Sequence, residues 1–385
     1  MKNCANFLII VLAMLAASCT GMKERVIDLP ELTAANTHNL DVRRVELTDS
    51  NTVITFAVNY RPKWWITIAP ECRIEADGKN YAAVATDGIN LGEKLVMPES
   101  GECEFTITFE PVPLDTKSID FTEGINDGWA IWGIDVSGKK SGNKGFFESL
   151  PKKIRNTDLA GCDPGPVMKA EETVVNFHIP DYKKVYGNKL EVYVNSVGDS
   201  YQQTVTLDSL GNGTLSGILY GTSRLNIAIP DMFTTKYVLV APGEETDIYI
   251  DPRISVKEQM ARRDSTFAEP EYRYDNGRYA AINNIVDMID SYGLDIFGSR
   301  VQIAPWNSTP DQYTDSVLAL RSSKIELINS SDMPDAIKQY ASAKLDAGVM
   351  LAMCEAPFLL RRSYHYTHEN ERTVPTDSIK GVPGD

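Results

Sequence analysis

Six cysteines are the residues whose type alone promises chemistry in this 385-residue chain, and their spacing sorts them. Cys19 closes the run Leu15-Ala16-Ala17-Ser18-Cys19, small residues directly before a cysteine, which has the form of a lipobox. At such a box lipoprotein signal peptidase cuts and leaves a diacylated cysteine as the first mature residue. Met1-Lys2-Asn3 supplies a charged start, and Phe7 to Ala17 is an apolar run of signal-peptide length, too short to span a bilayer. Residues 1–18 are therefore read as a lipoprotein signal peptide and Cys19 as the lipidation site. An ordinary signal peptide with an incidental cysteine is the alternative. Two or three acyl chains would hold the protein firmly, since one alone binds membranes only marginally. The expected location is the cell envelope, lipid-anchored to the inner or outer membrane on its periplasmic or surface face.

Cys4 leaves with the signal, so Cys72, Cys103, Cys162 and Cys354 remain. None belongs to a C-x-x-C pair and none has zinc-ligand spacing, so no metal site is expected. Cys72 shares an inward strand face with Ile74 and Ala76, and Cys103 shares one with Phe105 and Ile107. If those strands face each other, a disulfide worth about 2 to 4 kcal/mol is geometrically open; otherwise they are two separate buried thiols. His365 and His368 share a helix face but have no carboxylate or further histidine beside them, which reads as solvated surface. Trp64 and Trp65 are adjacent on a strand and should point to opposite faces. At least one is then exposed and able to contact a sugar or a protein partner, unless one ring fills the core and the other packs under a loop. Glu99, Glu102 and Glu104 read as the solvent side of an amphipathic strand, not as a hydrolytic pair. With no G-x-S-x-G, P-loop or Rossmann pattern, no catalytic residue and no cofactor is expected.

Apolar periodicity supplies the elements that must position these residues. From Leu40 to about Gly138 the period is two: Ile54, Phe56, Val58 and Tyr60 alternate with polar residues, as do Cys103, Phe105, Ile107 and Phe109. Turn signals at Asp77-Gly78, Asp87-Gly88 and Ser100-Gly101 separate short strands, which predicts an immunoglobulin-like antiparallel β-sandwich over 25–138. The Gly- and Pro-containing stretch 139–168 reads as a linker. Alternation returns over 169–252, giving a second small antiparallel β domain in which Asp208 to Gly213 is expected to be a hairpin turn. After Pro252 the period moves toward 3.6, with faces at Tyr279, Ile282, Ile285, Val286 and Ile289 and at Ile337, Ala341 and Leu345. Thr309-Pro310-Asp311-Gln312 has the form of a capping box. A helical domain is expected over 253–369 and a disordered tail over 370–385. The fold class is thus multidomain α+β. A net charge of −15 argues against nucleic acid as a partner, and no later apolar run is long enough for a membrane helix.

Several segments carry a family resemblance. Met97-Pro98-Glu99-Ser100-Gly101-Glu102, Asp115-Thr116-Lys117-Ser118, Asp120-Phe121-Thr122-Glu123-Gly124, Ile131-Trp132-Gly133-Ile134, the Pro242-Gly243-Glu244 hairpin and Gly277-Arg278-Tyr279-Ala280 resemble the N-terminal, non-thioredoxin region of TlpA-like thiol-disulfide oxidoreductases of Bacteroidetes. In that family a thioredoxin domain with a W-C-x-x-C site follows the helical part. Here no such pair occurs, so the resemblance implies the accessory half of such a protein, without its own redox centre. The expected function is a lipid-anchored accessory or binding lipoprotein whose ligand is a protein or a glycan. The alternatives are a component or truncated form of an envelope thiol-disulfide exchange protein, and a carbohydrate-binding lipoprotein.

Overall fold

The computed structural model describes residues 24–125, 127–138, 146–158, 165–230, 232–234, 237–263, 273–294, 296 and 303–368. Cys19, the signal segment, Cys162 and the tail after 368 lie outside the described residues. Strands dominate the first two thirds and helices the last.

The first β body contains β1 (Arg25–Asp28), β2 (Ala34–Ala35), β3 (Leu40–Leu47), β4 (Thr52–Asn59), β5 (Trp65–Ile66), β6 (Arg73–Ala76), β7 (Lys79–Asp87), β8 (Leu95–Val96), β9 (Glu102–Phe109), β10 (Ser118–Thr122) and β11 (Ala130–Asp135). Nine of these form one curled sheet, in the order β1-β3-β4-β9-β7-β6-β10-β11-β2, with every pairing antiparallel. The bend is at β7. Its first half, Lys79 to Ala82, pairs with β6, and its second half pairs with β9 across a register shift between Ala83 and Ala85. A bulge of this kind lets one strand serve both halves of a folded sheet. The inward residues fill a single core around Phe56, Phe105, Phe109 and Phe121, with the Phe56 and Phe121 ring centroids 4.8 Å apart. The periodic strands at 51–60 and 102–110 fall on β4 and β9, with Ile54, Phe56, Ile107 and Phe109 fully buried.

The second β body contains β12 (Glu171–His178), β13 (Lys189–Ser196), β14 (Asp199–Thr206), β15 (Asn212–Leu219), β16 (Ser223–Ile229), β17 (Phe233–Thr234), β18 (Val238–Val240), β19 (Glu245–Ile250) and β20 (Arg273–Asp275). They make two sheets, β15-β12-β19-β20 and β14-β13-β16-β17 with β18 on β16, whose inner faces share one core. Two features differ from the sequence reading. The β12 and β19 strands pair in parallel, Phe177 opposite Ile248, so this body is not purely antiparallel. The turns at Asp208 to Gly213 and at Pro242-Gly243-Glu244 are not hairpins: each carries the chain from one sheet to the other. A corner and a hairpin leave the same alternation in the sequence, because in both cases each strand presents every second residue to a core.

The stretch read as a linker contains two one-turn helices, Phe146–Ser149 and Lys152–Arg155. Phe146, Leu150 and Ile154 pack with Tyr274 and Tyr249 and strap the outer face of the second body. The helix Ile254–Arg263, which periodicity groups with the C-terminal helices, returns instead to the first body. Val256 enters its core and Gln259, fully buried, donates through Nε2 to the carbonyls of Thr37 at 3.1 Å and Leu40 at 2.6 Å. From the other side Ala34 and Trp132 of the first body pack on the core of the second.

The C-terminal helices Ala280–Asn283, Val286–Tyr292, Pro310–Ser330, Asp335–Cys354 and Ala356–Thr367 share a third core. The capping box forms: Gln312 N donates to Thr309 Oγ1 at 3.3 Å, and Thr309 N donates to Gln312 Oε1 at 2.9 Å. Ile337, Ala341 and Leu345 are buried as their spacing predicts.

Candidate functional site

The two indoles sit on a ribbon that stands apart from the main sheet. Asn59 ends β4, Tyr60 N donates to Gly101 O at 2.8 Å, and the chain then turns through Pro62 and Lys63. Lys63 has φ +63, a left-handed conformation rare for a residue with a β-carbon and costing on the order of 1 kcal/mol. The next residue is tied on both sides to one partner: Met97 N donates to Trp64 O at 2.7 Å, and Lys63 N donates to Met97 O at 3.2 Å. Trp65 then pairs with Val96 and Ile66 with Leu95 in the two-stranded β5/β8 ribbon. Ile66 and Met97 are buried and anchor it.

Trp64 is 52% exposed and Trp65 47%. Both rings therefore face solvent, where strand alternation alone required only one. Trp64 precedes the strand and follows the left-handed Lys63, so the alternation rule does not govern it. Each ring has a cation against one face: the Arg61 Cζ lies 4.8 Å from the Trp64 centroid and the Lys94 Nζ 4.1 Å from that of Trp65. Tyr60 meets Trp64 edge-on at 6.4 Å. Such cation contacts contribute about 0.5 to 1 kcal/mol at exposed positions, a few-fold bias toward the stacked ring orientation. The sequence reading missed Arg61 and Lys94. The signal for Lys94 is absent from local sequence, since it lies 29 residues from Trp65 and only the β5/β8 pairing brings it near. Val96, 64% exposed, extends the apolar surface beside Trp65.

The thiols are placed very differently. Both Cys72 and Cys103 are free, so the disulfide considered between them is absent. Cys72 lies just before β6 and Cys103 in β9, strands that pair with successive halves of β7. Burial, with Glu123 and Glu71 nearby, pushes the Cys72 thiol up to about 12. Burial also raises Cys103, whose Sγ lies 3.8 Å from the Met97 Sδ. Thiol exchange needs a thiolate, and both surroundings oppose one. We predict that, with Cys4, Cys19 and Cys162 replaced by serine, exposed Cys354 reacts with Ellman's reagent within minutes while Cys72 reacts only on unfolding. Rapid release of more than one equivalent from the native variant would contradict this.

The remaining candidates disperse. Glu99 pairs with Lys63 at 3.2 Å, Glu102 accepts from Asn59 Nδ2 at 3.1 Å, and Glu104 approaches Arg43 at 3.9 Å. Glu102 and Glu104 line one surface cleft with Asp41, Arg43 and Arg262, and Glu99 lies outside it. His368 stacks on Tyr364 at 4.0 Å between ring centroids at the end of its helix, and His365 is exposed. Among the described residues no group of three or more His, Cys, Asp or Glu side chains is placed to hold a metal ion. The Asp208 carboxylate accepts from the Asn212 and Leu210 amides, each at 2.9 Å, and these bonds hold it below the usual carboxylate range. It stabilises the sheet-to-sheet corner. No helix among the described residues is long and apolar enough to cross a membrane.

No family model and no curated protein matches the chain. Among solved structures it is similar to a type I pullulanase from Bacillus subtilis complexed with maltose, at 12% identity and a TM-score of 0.20, over 49% of this chain and 23% of that one. It is similar to a pullulanase from Anoxybacillus sp. LM18-11, at 9% identity and a TM-score of 0.18, over 57% and 25% of the two chains. It also matches the Bacillus anthracis TIE protein, at 11% identity and a TM-score of 0.16, over 61% and 41%. The chain thus spans less than half the length of each. Likenesses this slight carry no argument about fold or function, which leaves the Trp64/Trp65 ribbon to be judged on its own geometry.

Proposed function

We propose that this protein is a lipid-anchored accessory binding protein of a bacterial cell envelope. Cys19 carries the acyl chains, the first β body is an immunoglobulin-like sandwich, and the whole corresponds to the non-thioredoxin part of a TlpA-like protein. The Trp64/Trp65 ribbon is its binding face. The observation that carries the reading is the pair of half-exposed indoles on a hydrogen-bonded ribbon, each ring with a cation against it. An exposed aromatic held in place loses little entropy on binding, which is why such side chains dominate recognition surfaces. The buried thiols of Cys72 and Cys103 support a role in binding over one in electron exchange.

Strand direction supports an outward-facing ribbon. Arg25 pairs with Leu47 at the end of the sheet where β3 turns into β4, while Asn59 and Glu102 mark the other end, from which the ribbon grows. Eight residues of β4 separate the two ends by about 26 Å. The chain therefore enters the sheet, at Arg25, at the end opposite the indoles. Incorporation of radiolabelled palmitate into the expressed chain, lost on Cys19→Ala together with sedimentation in the membrane fraction, is the expected result. A Cys19→Ala protein that still sediments with membranes would remove the anchor from this proposal.

A further inference from the structure

We infer that the Trp64/Trp65 ribbon binds an acidic glycan, a chain of sugar rings bearing carboxylates. The inference rests on the reading of this ribbon as a binding face and adds the chemical class of what it holds. Its starting point is charge. The chain has 53 acidic residues against 38 basic ones, yet among the described residues neither the Arg61 guanidinium nor the Lys94 ammonium has an ion pair or a side-chain hydrogen bond. Their only contacts of that kind are with the indoles. Lys63, on the same turn as Arg61, is instead held by a carboxylate, Glu99 at 3.2 Å.

Stacking leaves these cations free to bind. A guanidinium lying flat on a ring keeps its N–H groups in its own plane, pointing past the ring. The Arg61 Cζ lies 4.8 Å from the Trp64 centroid, and among the described residues no side chain or backbone carbonyl accepts from its guanidinium. The exposed half of each indole offers apolar surface on which a pyranose can lie by its C–H groups. The ribbon carries two such pairs, Arg61 with Trp64 and Lys94 with Trp65. A polymer that repeats a ring and a carboxylate matches this repetition; a neutral glycan would leave both cations unused, and a single small anion would leave both indoles unused.

Affinity electrophoresis of the full chain in detergent, through native gels containing polygalacturonate or the same polymer fully methyl-esterified, tests the inference. We expect retardation by polygalacturonate alone. Arg61→Gln with Lys94→Gln should weaken it about tenfold or more, the scale of one charge-assisted hydrogen bond lost, with the thermal midpoint lowered by no more than about a few degrees, the worth of the two cation contacts. Trp64→Ala with Trp65→Ala should abolish it. Equal retardation by both polymers would overturn the acidic class while leaving a glycan-binding ribbon. No retardation by either would overturn the inference and leave the anchor to be judged by palmitate. Release of polygalacturonate-bound protein by phosphatidylglycerol vesicles, but not phosphatidylcholine vesicles, would move the anion to a lipid surface and overturn the glycan.

Discussion

Replacing Arg263 by alanine is expected to cost about 3 to 5 kcal/mol and to uncouple the unfolding of the two β bodies. The helix Ile254–Arg263 belongs in sequence to the second body's exit but ends inside the first. There Arg263 grips Asp41 with both arms, Nη2 to Oδ1 at 2.6 Å and Nε to Oδ2 at 3.1 Å, and donates further to the carbonyls of Pro30 at 2.9 Å and Val42 at 2.7 Å. Both side chains are under a tenth exposed. Alanine removes four bonds at once and leaves Asp41 buried, with only Arg43 at 3.4 Å against it. Lysine at 263 keeps the charge but not the fork, and should recover only part of the loss. Calorimetry should show the wild-type β bodies melting together and the Arg263→Ala protein melting in two steps. A single transition at the wild-type midpoint would show that the clamp contributes nothing.

That clamp also marks the boundary of what local sequence can express. Asp41 and Arg263 stand 222 residues apart, and no period or motif joins them. Elements whose signal is local came through: the alternation of β4 and β9, and the capping box that starts the helix at Pro310. What alternation cannot carry is which strand lies beside which. It left Asp208 to Gly213 and Pro242 to Glu244 indistinguishable from hairpins, and it gave no sign that β12 and β19 run parallel. For the candidate site, residue type marked Trp64 and Trp65, but one positive φ at Lys63 decided that both rings face water. The Lys94 cation over Trp65 became visible only with the β5/β8 pairing. The two thiols show the converse: their inward faces were legible, whereas the bend of the sheet at β7, the strand that separates β6 from β9, was not.

Asp251→Asn should destabilise the protein by about 3 kcal/mol at neutral pH, with a deficit that closes in acid. Asp251 is 1% exposed at the end of β19. Its carboxylate accepts from Arg253 Nε at 2.9 Å and Nη2 at 3.0 Å, and from Lys257 Nζ at 2.6 Å. Burial alone would raise its proton affinity, but the hydrogen bonds from Arg253 and the charges of Lys257 and Arg253 outweigh it, so the folded group ionises below its ordinary range. A carboxyl depressed on folding contributes stability that is fully present above its unfolded value, about 3.9, and is lost as pH falls through the lower folded value. The wild-type protein should therefore lose stability below about pH 4 more steeply than Asp251→Asn, which has no proton to take up there. Asp247, also depressed and paired with Lys153 at 2.6 Å, titrates in both proteins and leaves a common slope. The difference between them isolates Asp251. Because Lys257 also lies 5.3 Å over the Phe146 ring, the asparagine variant should loosen the strap at 146–155 as well, raising amide exchange there ahead of the β4 and β9 core. Parallel denaturation curves for the two proteins from pH 7 to pH 2 would show that this carboxylate is not ionised against its partners in the fold.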